Sequence, residues 1–241
     1  MLNAVEVVKH YRQGDETIRA VDGVSLQVAA GEMVALYGPS GSGKSTFCDL
    51  IAGFQKPDAG AVFVAGKDVG KLSSREHAEY LRRTVGIVGQ DQELWASASA
   101  RDNAALKLLR DHPRTAGRLI EPLLEELGLG DRLDQSARKL SKGECQRVMI
   151  AQALSTDPKL VLADEPTGNL DTVRSREVLG LLHERCCRSQ MALLLVTHDS
   201  EALGFADRAH ELRDGQLGDY QPDALCVHTG VLFGEDRANR P

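Results

Sequence analysis

The stretch GPSGSGKST, residues 38–46, has the residue types and spacing needed to hold a polyphosphate. Gly38, Gly41 and Gly43 let successive backbone N–H groups turn toward one concavity, with Pro39, Ser40 and Ser42 between them. Lys44 adds a mobile charge for the β- and γ-phosphates, and the Ser45 hydroxyl can ligate Mg²⁺. Thr46 leads into a helical pattern starting near Phe47, whose N-terminal dipole end favours an anion. A second stretch, LVLADEPT at 160–167, supplies carboxylates of the kind phosphoryl chemistry needs. Asp164 can hold the water shell of Mg²⁺, and Glu165, one residue on, can polarise an attacking water. Taken alone this pair could equally cap a helix. His198 could hydrogen-bond a γ-phosphate or serve only a turn, and Gln90, in GIVGQDQELW, is a neutral group able to reach Mg²⁺ or water. In LSKGECQRV, residues 140–148, Ser141 and Glu144 fit a capping box, in which hydroxyl and carboxylate satisfy the orphan donors of a helix's first turn.

These groups need a scaffold that brings them together. Three short apolar runs end in polar residues: MVALYG at 33–38, LVLADE at 160–165 and LLLVTHD at 193–199. Uninterrupted runs of that length read as strands buried on both faces, as in a parallel sheet flanked by helices. Ligands of such sheets sit at the carboxyl ends of the strands, so all three runs point to one site. VEVVKHY, VDGVSLQV and GAVFVAG alternate apolar and polar residues, which suggests an antiparallel sheet layered on the parallel one. From about Gln92 to Leu140 the pattern is helical, with ARDNAALKLLRD and AGRLIEPLLEELGL carrying apolar residues at three and four spacing. The expected organisation is one α/β domain: a catalytic core with its antiparallel β subdomain over about 1–90 and 155–220, an inserted helical subdomain over about 91–154, and a tail at 221–241 without a clear period.

Composition narrows the classes further. The chain has 241 residues, 42% of them hydrophobic, enough for a substantial core. Lys plus Arg number 29 and Asp plus Glu 35, a net charge of −6, which argues against nonspecific nucleic-acid binding. Five scattered cysteines, Cys48, Cys145, Cys186, Cys187 and Cys226, show no CxxC spacing, so neither a disulfide framework nor a zinc site is indicated, and a reducing cytoplasm is expected. No apolar run approaches the roughly 20 residues that cross a bilayer, and MLNAVEVVKHYRQGDE is too charged for a signal peptide, so a soluble chain is expected.

With every motif in order, the chain resembles, over roughly residues 4–217, the ATP-binding subunit of ATP-binding cassette transporters. The resemblance implies a P-loop ATPase with a RecA-like parallel sheet, ATP and Mg²⁺ as cofactors, and a head-to-tail dimer, a homodimer by expectation, around two ATP molecules. It implies that Tyr11 stacks on adenine, although an aromatic at a strand end also packs there for ordinary reasons. It further implies that Gly38–Thr46 form the phosphate loop, that Gln90 is the lid glutamine, and that Ser141, Gly143 and Glu144 form the signature closing over the ATP of the other subunit. Asp164 takes the metal position with Ser45 and Gln90, Glu165 that of the catalytic base, Asp171 the D-loop, and His198 the switch. Lys142 stands where the family usually has glycine; it either points to solvent or lies near the sandwiched phosphates. Glu144 replaces a frequent glutamine, and Gly89 a frequent aromatic. The resemblance also implies transmembrane permeases, contacted near Leu94 and Trp95, at the cytoplasmic face of the membrane; Trp95 could instead be core. ADEPTGNLDT, through Gly168 and Asn169, looks most like the branch of lipoprotein-release, macrolide-efflux and cell-division ATPases, whose permeases push on periplasmic or extracellular partners. Export or extrusion is the implied task, and a cell-division type that transmits force without transport is the alternative. Nucleic acid is not an expected partner.

Overall fold

The computed structural model describes residues 1–14, 16–89 and 93–220. Gln90 and the tail 221–241, with Cys226, lie outside the described residues. A six-stranded sheet runs in the order β10-β9-β3-β8-β7-β6, where β3 is Met33–Tyr37, β6 Val85–Val88, β7 Leu160–Asp164, β8 Ala192–Thr197, β9 Arg208–Arg213 and β10 Gln216–Asp219. All neighbours are parallel except β9 and β10. The three apolar runs form β3, β7 and β8, its central strands, and they are continuous because both faces are covered. Val34, Leu36, Leu194 and Val196 face one core, while Met33, Ala35, Leu193 and Leu195 face the other.

The alternating N-terminal segments form the antiparallel sheet β2-β1-β4-β5: β1 Leu2–Gln13, β2 Glu16–Val28, β4 Ala59–Val64 and β5 Lys67–Asp68. Its inner face (Leu2, Ala4, Val7, Val24, Leu26) joins the parallel sheet around α1, Lys44–Ala52, which contributes Phe47, Leu50 and Ile51 to the shared core.

Between β6 and β7 lie the helices expected from the 92–140 pattern, in shorter pieces. ARDNAALKLLRD makes α3 only as far as Ala100–Ala105 and tightens into a 3-10 turn at Leu106–Leu108. There the Lys107 ammonium donates to the Val85 carbonyl of β6 at 3.0 Å, a tertiary contact that the helical period does not encode. α4, Ala116–Glu126, carries Pro122 in its interior and stops before Gly128, whose φ of +68° suits glycine. α5, Lys142–Leu154, packs on α3 and β6; α2, Ser74–Arg83, precedes β6, α6, Thr172–Ser189, follows β7, and the one-turn α7, Ser200–Leu203, follows β8. Register fixes what the sheet presents: Tyr37 lies opposite Thr197, and Asp164 opposite Val196. The carboxyl ends of β3, β7 and β8 therefore stand side by side.

Candidate functional site

The phosphate loop leaves β3 at Gly38 and enters α1 at Lys44. Gly43, at the N-cap, has φ +103°, and a Cβ there would lie 1.8 Å from the Ala20 carbonyl, so β2 closes on the loop as only glycine permits. Pro39, Ser40, Gly41 and Ser42 fill the turn; the Ser42 N–H donates to the Pro39 carbonyl at 3.3 Å. Lys44 is buried, and its ammonium donates to the carbonyls of Gly38 and Pro39, both at 2.8 Å. Burial pushes its pKa down, while Glu165 and Asp164 oppose that shift. It is thus a desolvated cation at the mouth of a loop rich in N–H groups, ready to exchange neutral carbonyls for phosphate oxygens.

The Ser45 hydroxyl donates to Asp164 Oδ2 at 2.7 Å across the gap between α1 and β7. Burial raises the Asp164 pKa, and the Ser45 hydrogen bond holds it down in part. A hydroxyl and a desolvated carboxylate in contact are hard oxygen donors of the kind Mg²⁺ takes, so these two residues fit the ion. Thr46, in the first turn of α1, is half-buried.

Glu165 follows β7 with φ +51°, a left-handed backbone that is uncommon outside glycine and here aims the carboxylate at β8. Its Oε1 accepts from the His198 N–H at 3.0 Å and lies 2.6 Å from His198 Nδ1, while the Thr197 hydroxyl approaches Oε2 at 3.4 Å. The structure therefore brings Lys44, Ser45, Asp164, Glu165 and His198 to one end of the sheet. Thr197 was not among the expected site residues, although its place beside His198 at the end of β8 could have indicated it.

Ser141 caps α5 in the expected box: its hydroxyl accepts from the Glu144 N–H at 3.2 Å, and its own N–H donates to Glu144 Oε2 at 2.8 Å. Arg132 Nε donates to the other carboxylate oxygen at 2.9 Å, so Glu144 is held by protein partners, and these bonds keep its pKa low. A Cβ on Gly143 would lie 3.0 Å from Leu170 and 3.3 Å from the Asn169 carbonyl, so the signature turn touches the segment leading to Asp171. Asp171 caps α6 by accepting from the Arg174 N–H at 3.0 Å. Lys142 is exposed, in the first turn of a regular helix.

Tyr11 lies at the far end of β1, half exposed, with its hydroxyl donating to Gln55 at 2.5 Å and the Lys9 ammonium 5.7 Å from its ring centre. Neither Gln55 nor Arg132 carries a sequence signal for these contacts. Trp95 is 69% exposed, which removes the core reading, whereas Leu94 is half buried against the helical core. A cavity of about 550 Å³ opens between α1, α2, β6 and the turn after α3, with Ser45, Asp164 and Lys107 among its lining residues. Neither Leu94 nor Trp95 lines it. No helix among the described residues is long and apolar enough to cross a membrane.

A sequence profile described as ABC transporter matches residues 21–168. A lipoprotein-releasing system ATP-binding protein, LolD, of Alcanivorax borkumensis is 40% identical over 219 residues, covering 90% of this chain and 96% of the relative. A macrolide export ATP-binding/permease protein, MacB, of Rhodopirellula baltica is 41% identical over 223 residues; that match covers 91% of this chain, which spans only 33% of the relative. A dimeric post-hydrolysis structure of the ATP-binding cassette MJ0796, bound to ADP and Pi, superposes with a TM-score of 0.85 at 30% identity, covering 92% of this chain and all of that one. The strand-end cluster, the phosphate loop and these likenesses lead to one conclusion: the chain belongs to the ABC transporter family, as one of its ATP-hydrolysing cassettes.

Proposed function

We propose that two copies of this chain close around two ATP molecules, hydrolyse them, and drive a membrane permease that exports or extrudes a substrate, a lipoprotein or an efflux compound being the class favoured by the relatives' names. The observation that carries this reading is Glu165, held by His198 beside Lys44 and Asp164 at the aligned strand ends. Gly38–Thr46 cradle the phosphates through backbone N–H groups, and Lys44 trades the Gly38 and Pro39 carbonyls for phosphate oxygens. Ser45 and Asp164, with Gln90, would hold Mg²⁺, which when bound neutralises charge building on the phosphate oxygens. Glu165 orients the attacking water and accepts its proton as the water oxygen bonds to the γ-phosphorus and the bond to the bridging β–γ oxygen breaks. His198 fixes the Glu165 carboxylate and reaches the γ-phosphate.

Ser141 and Gly143 of the second copy present the N-terminal end of α5 to the γ-phosphate, with Glu144 holding the turn and Asp171 ordering the adjoining segment. Tyr11 stacks on adenine. Because each ATP touches both copies only in the closed dimer, binding shifts the dimer equilibrium and hydrolysis removes the bias. The division of labour is a catalytic core over about 1–90 and 155–220, a helical subdomain over about 91–154 that meets the permease near Trp95, and a tail at 221–241. The chain sits at the cytoplasmic face, peripheral through that permease.

Mg-ATP hydrolysis by the purified chain, with Glu165→Gln alongside and light scattering for size, tests the reading. The variant is expected to lose about 100-fold or more in rate, the span a general base contributes, and to persist as an ATP-dependent dimer. A variant that hydrolyses within tenfold of wild type overturns the role of Glu165.

A further inference from the structure

The Tyr11 ring is held from several sides by residues outside the phosphate loop. Its place in β1 sets it opposite Ile18 of β2, two residues before Ala20, whose carbonyl closes on Gly43 of the loop. Two residues of strand span about 7 Å, which leaves room between ring and loop for the sugar and base of a nucleotide whose phosphates lie in the loop. The Lys9 ammonium stands over the ring, 5.7 Å from its centre, and is itself fixed by the Lys56 carbonyl and Asp58 Oδ1, both at 3.0 Å. The hydroxyl, at the other extremity, donates to Gln55 Oε1 at 2.5 Å.

Gln55 is oriented in its turn. Its Nε2 donates to Asp49 Oδ2 at 3.1 Å; an ionised carboxylate only accepts, so the amide must turn its NH₂ toward Asp49 and leave its oxygen for the tyrosine. Asp49 belongs to α1, the helix whose first turn carries Lys44 and Ser45. Past the end of that helix at Gly53 the chain folds back, the Phe54 N–H donating to the Asp49 carbonyl at 2.9 Å, which brings Gln55 beside Asp49. Two hydrogen bonds in series thus tie the aromatic ring to the same rigid helix that presents the phosphate loop. A half-exposed tyrosine without this tie would sample several rotamers and lose that freedom on stacking. With it, the ring is oriented before the base arrives.

We propose that Gln55 is a positioning residue for nucleotide binding, holding the Tyr11 ring at a set distance from the phosphate loop so that it meets the base. The inference rests on the stacking of Tyr11 on adenine proposed above and adds the residue that orients the ring. Gln55 touches no part of the nucleotide in this role and acts only through Tyr11.

The test measures binding of Mg-ADP, which has a base, and of magnesium pyrophosphate, which has none, by calorimetry on the full chain. The variants are Gln55→Leu, Tyr11→Phe, their double and Tyr11→Ala, with the thermal midpoint of each recorded. Gln55→Leu is expected to weaken Mg-ADP about three- to tenfold, the net worth of one hydrogen bond, while pyrophosphate stays within about twofold of wild type. Tyr11→Phe removes the same bond from its other end and should show the same loss, so the prediction stands on it alone if Gln55→Leu fails to fold. The double variant should be no weaker than either single one, because one bond cannot be lost twice. Mg-ADP binding at wild-type strength or tighter in both single variants, an equal loss for pyrophosphate, or additive losses in the double overturns the positioning role. Tyr11→Ala separates the two readings. If it weakens Mg-ADP while the single variants do not, stacking stands and positioning by Gln55 falls; if it binds Mg-ADP as wild type does, the stacking falls and the inference with it.

Discussion

Lys142 is the residue at which this chain departs most from its family's signature, and its surroundings say what that departure costs. A glycine is required where φ is positive or where a Cβ would collide. Lys142 meets neither condition: it sits in the first turn of α5, outside the set of residues with positive φ, and is exposed. Gly143 next to it is tighter, since a Cβ there would lie 3.0 Å from the Leu170 side-chain tip and 3.3 Å from the Asn169 carbonyl and would press both back slightly. The long lysine chain can lie along the helix surface with its charge in water. Lys142→Gly is therefore expected to change the ATPase rate less than tenfold, read as kcat on the purified dimer; a larger change would place the ammonium at the sandwiched phosphates. The capping box around it was legible from the sequence because Ser141 and Glu144 are three residues apart and their bonds are local. The Arg132 contact that completes it was not, because nothing in spacing marks a residue twelve positions upstream as a partner.

Among elements, legibility followed the period of burial. β3, β7 and β8 could be read because both faces of each are buried, leaving uninterrupted apolar runs, and because the polar residues fall at their carboxyl ends. The region after β6 could be read as helical but not subdivided, since apolar spacing continues through Leu106 and Leu108 whether the backbone is α or 3-10. Equally hidden was the seat of α5, the helix that carries the signature. A Cβ on Gly86 of β6 would come within 2.5 Å of the Ala153 carbonyl and 3.1 Å of Val161, so the C-terminal turn of α5 rests directly on strand backbone. Backbone cannot yield as a side-chain tip does. Gly86→Ala should therefore force α5 away from β6 and cost about 1–3 kcal/mol, the usual penalty of overpacking a tight core. Denaturant unfolding with an unchanged slope would check it, and a loss below ~0.5 kcal/mol would mean the helix shifts freely.

At the scale of the whole molecule the question is how chemistry at the strand ends reaches a partner in the membrane, and α3 connects the relevant parts. Asn103, buried in α3, accepts from the Trp95 N–H at 2.7 Å and donates to the Trp95 carbonyl at 3.1 Å. The backbone of Trp95 is thereby fixed while its side chain stands in solvent, an arrangement that leaves little entropy to lose when a partner covers it. Two residues beyond α3, Lys107 enters the cavity shared with Ser45 and Asp164. One short helix thus holds both an exposed aromatic ring and, just beyond its end, a partly buried cation. Trp95→Ala removes exposed surface only, so its unfolding free energy should stay within about 0.5 kcal/mol of wild type, as for ordinary surface substitutions. In proteoliposomes with the permease, stimulation of ATP hydrolysis should fall at least tenfold, because a central aromatic anchor is worth about 2 kcal/mol or more to an interface. Stimulation that survives Trp95→Ala at wild-type level would move the docking surface away from the Asn103-held turn, and a large loss of stability would show that the ring packs against its own chain.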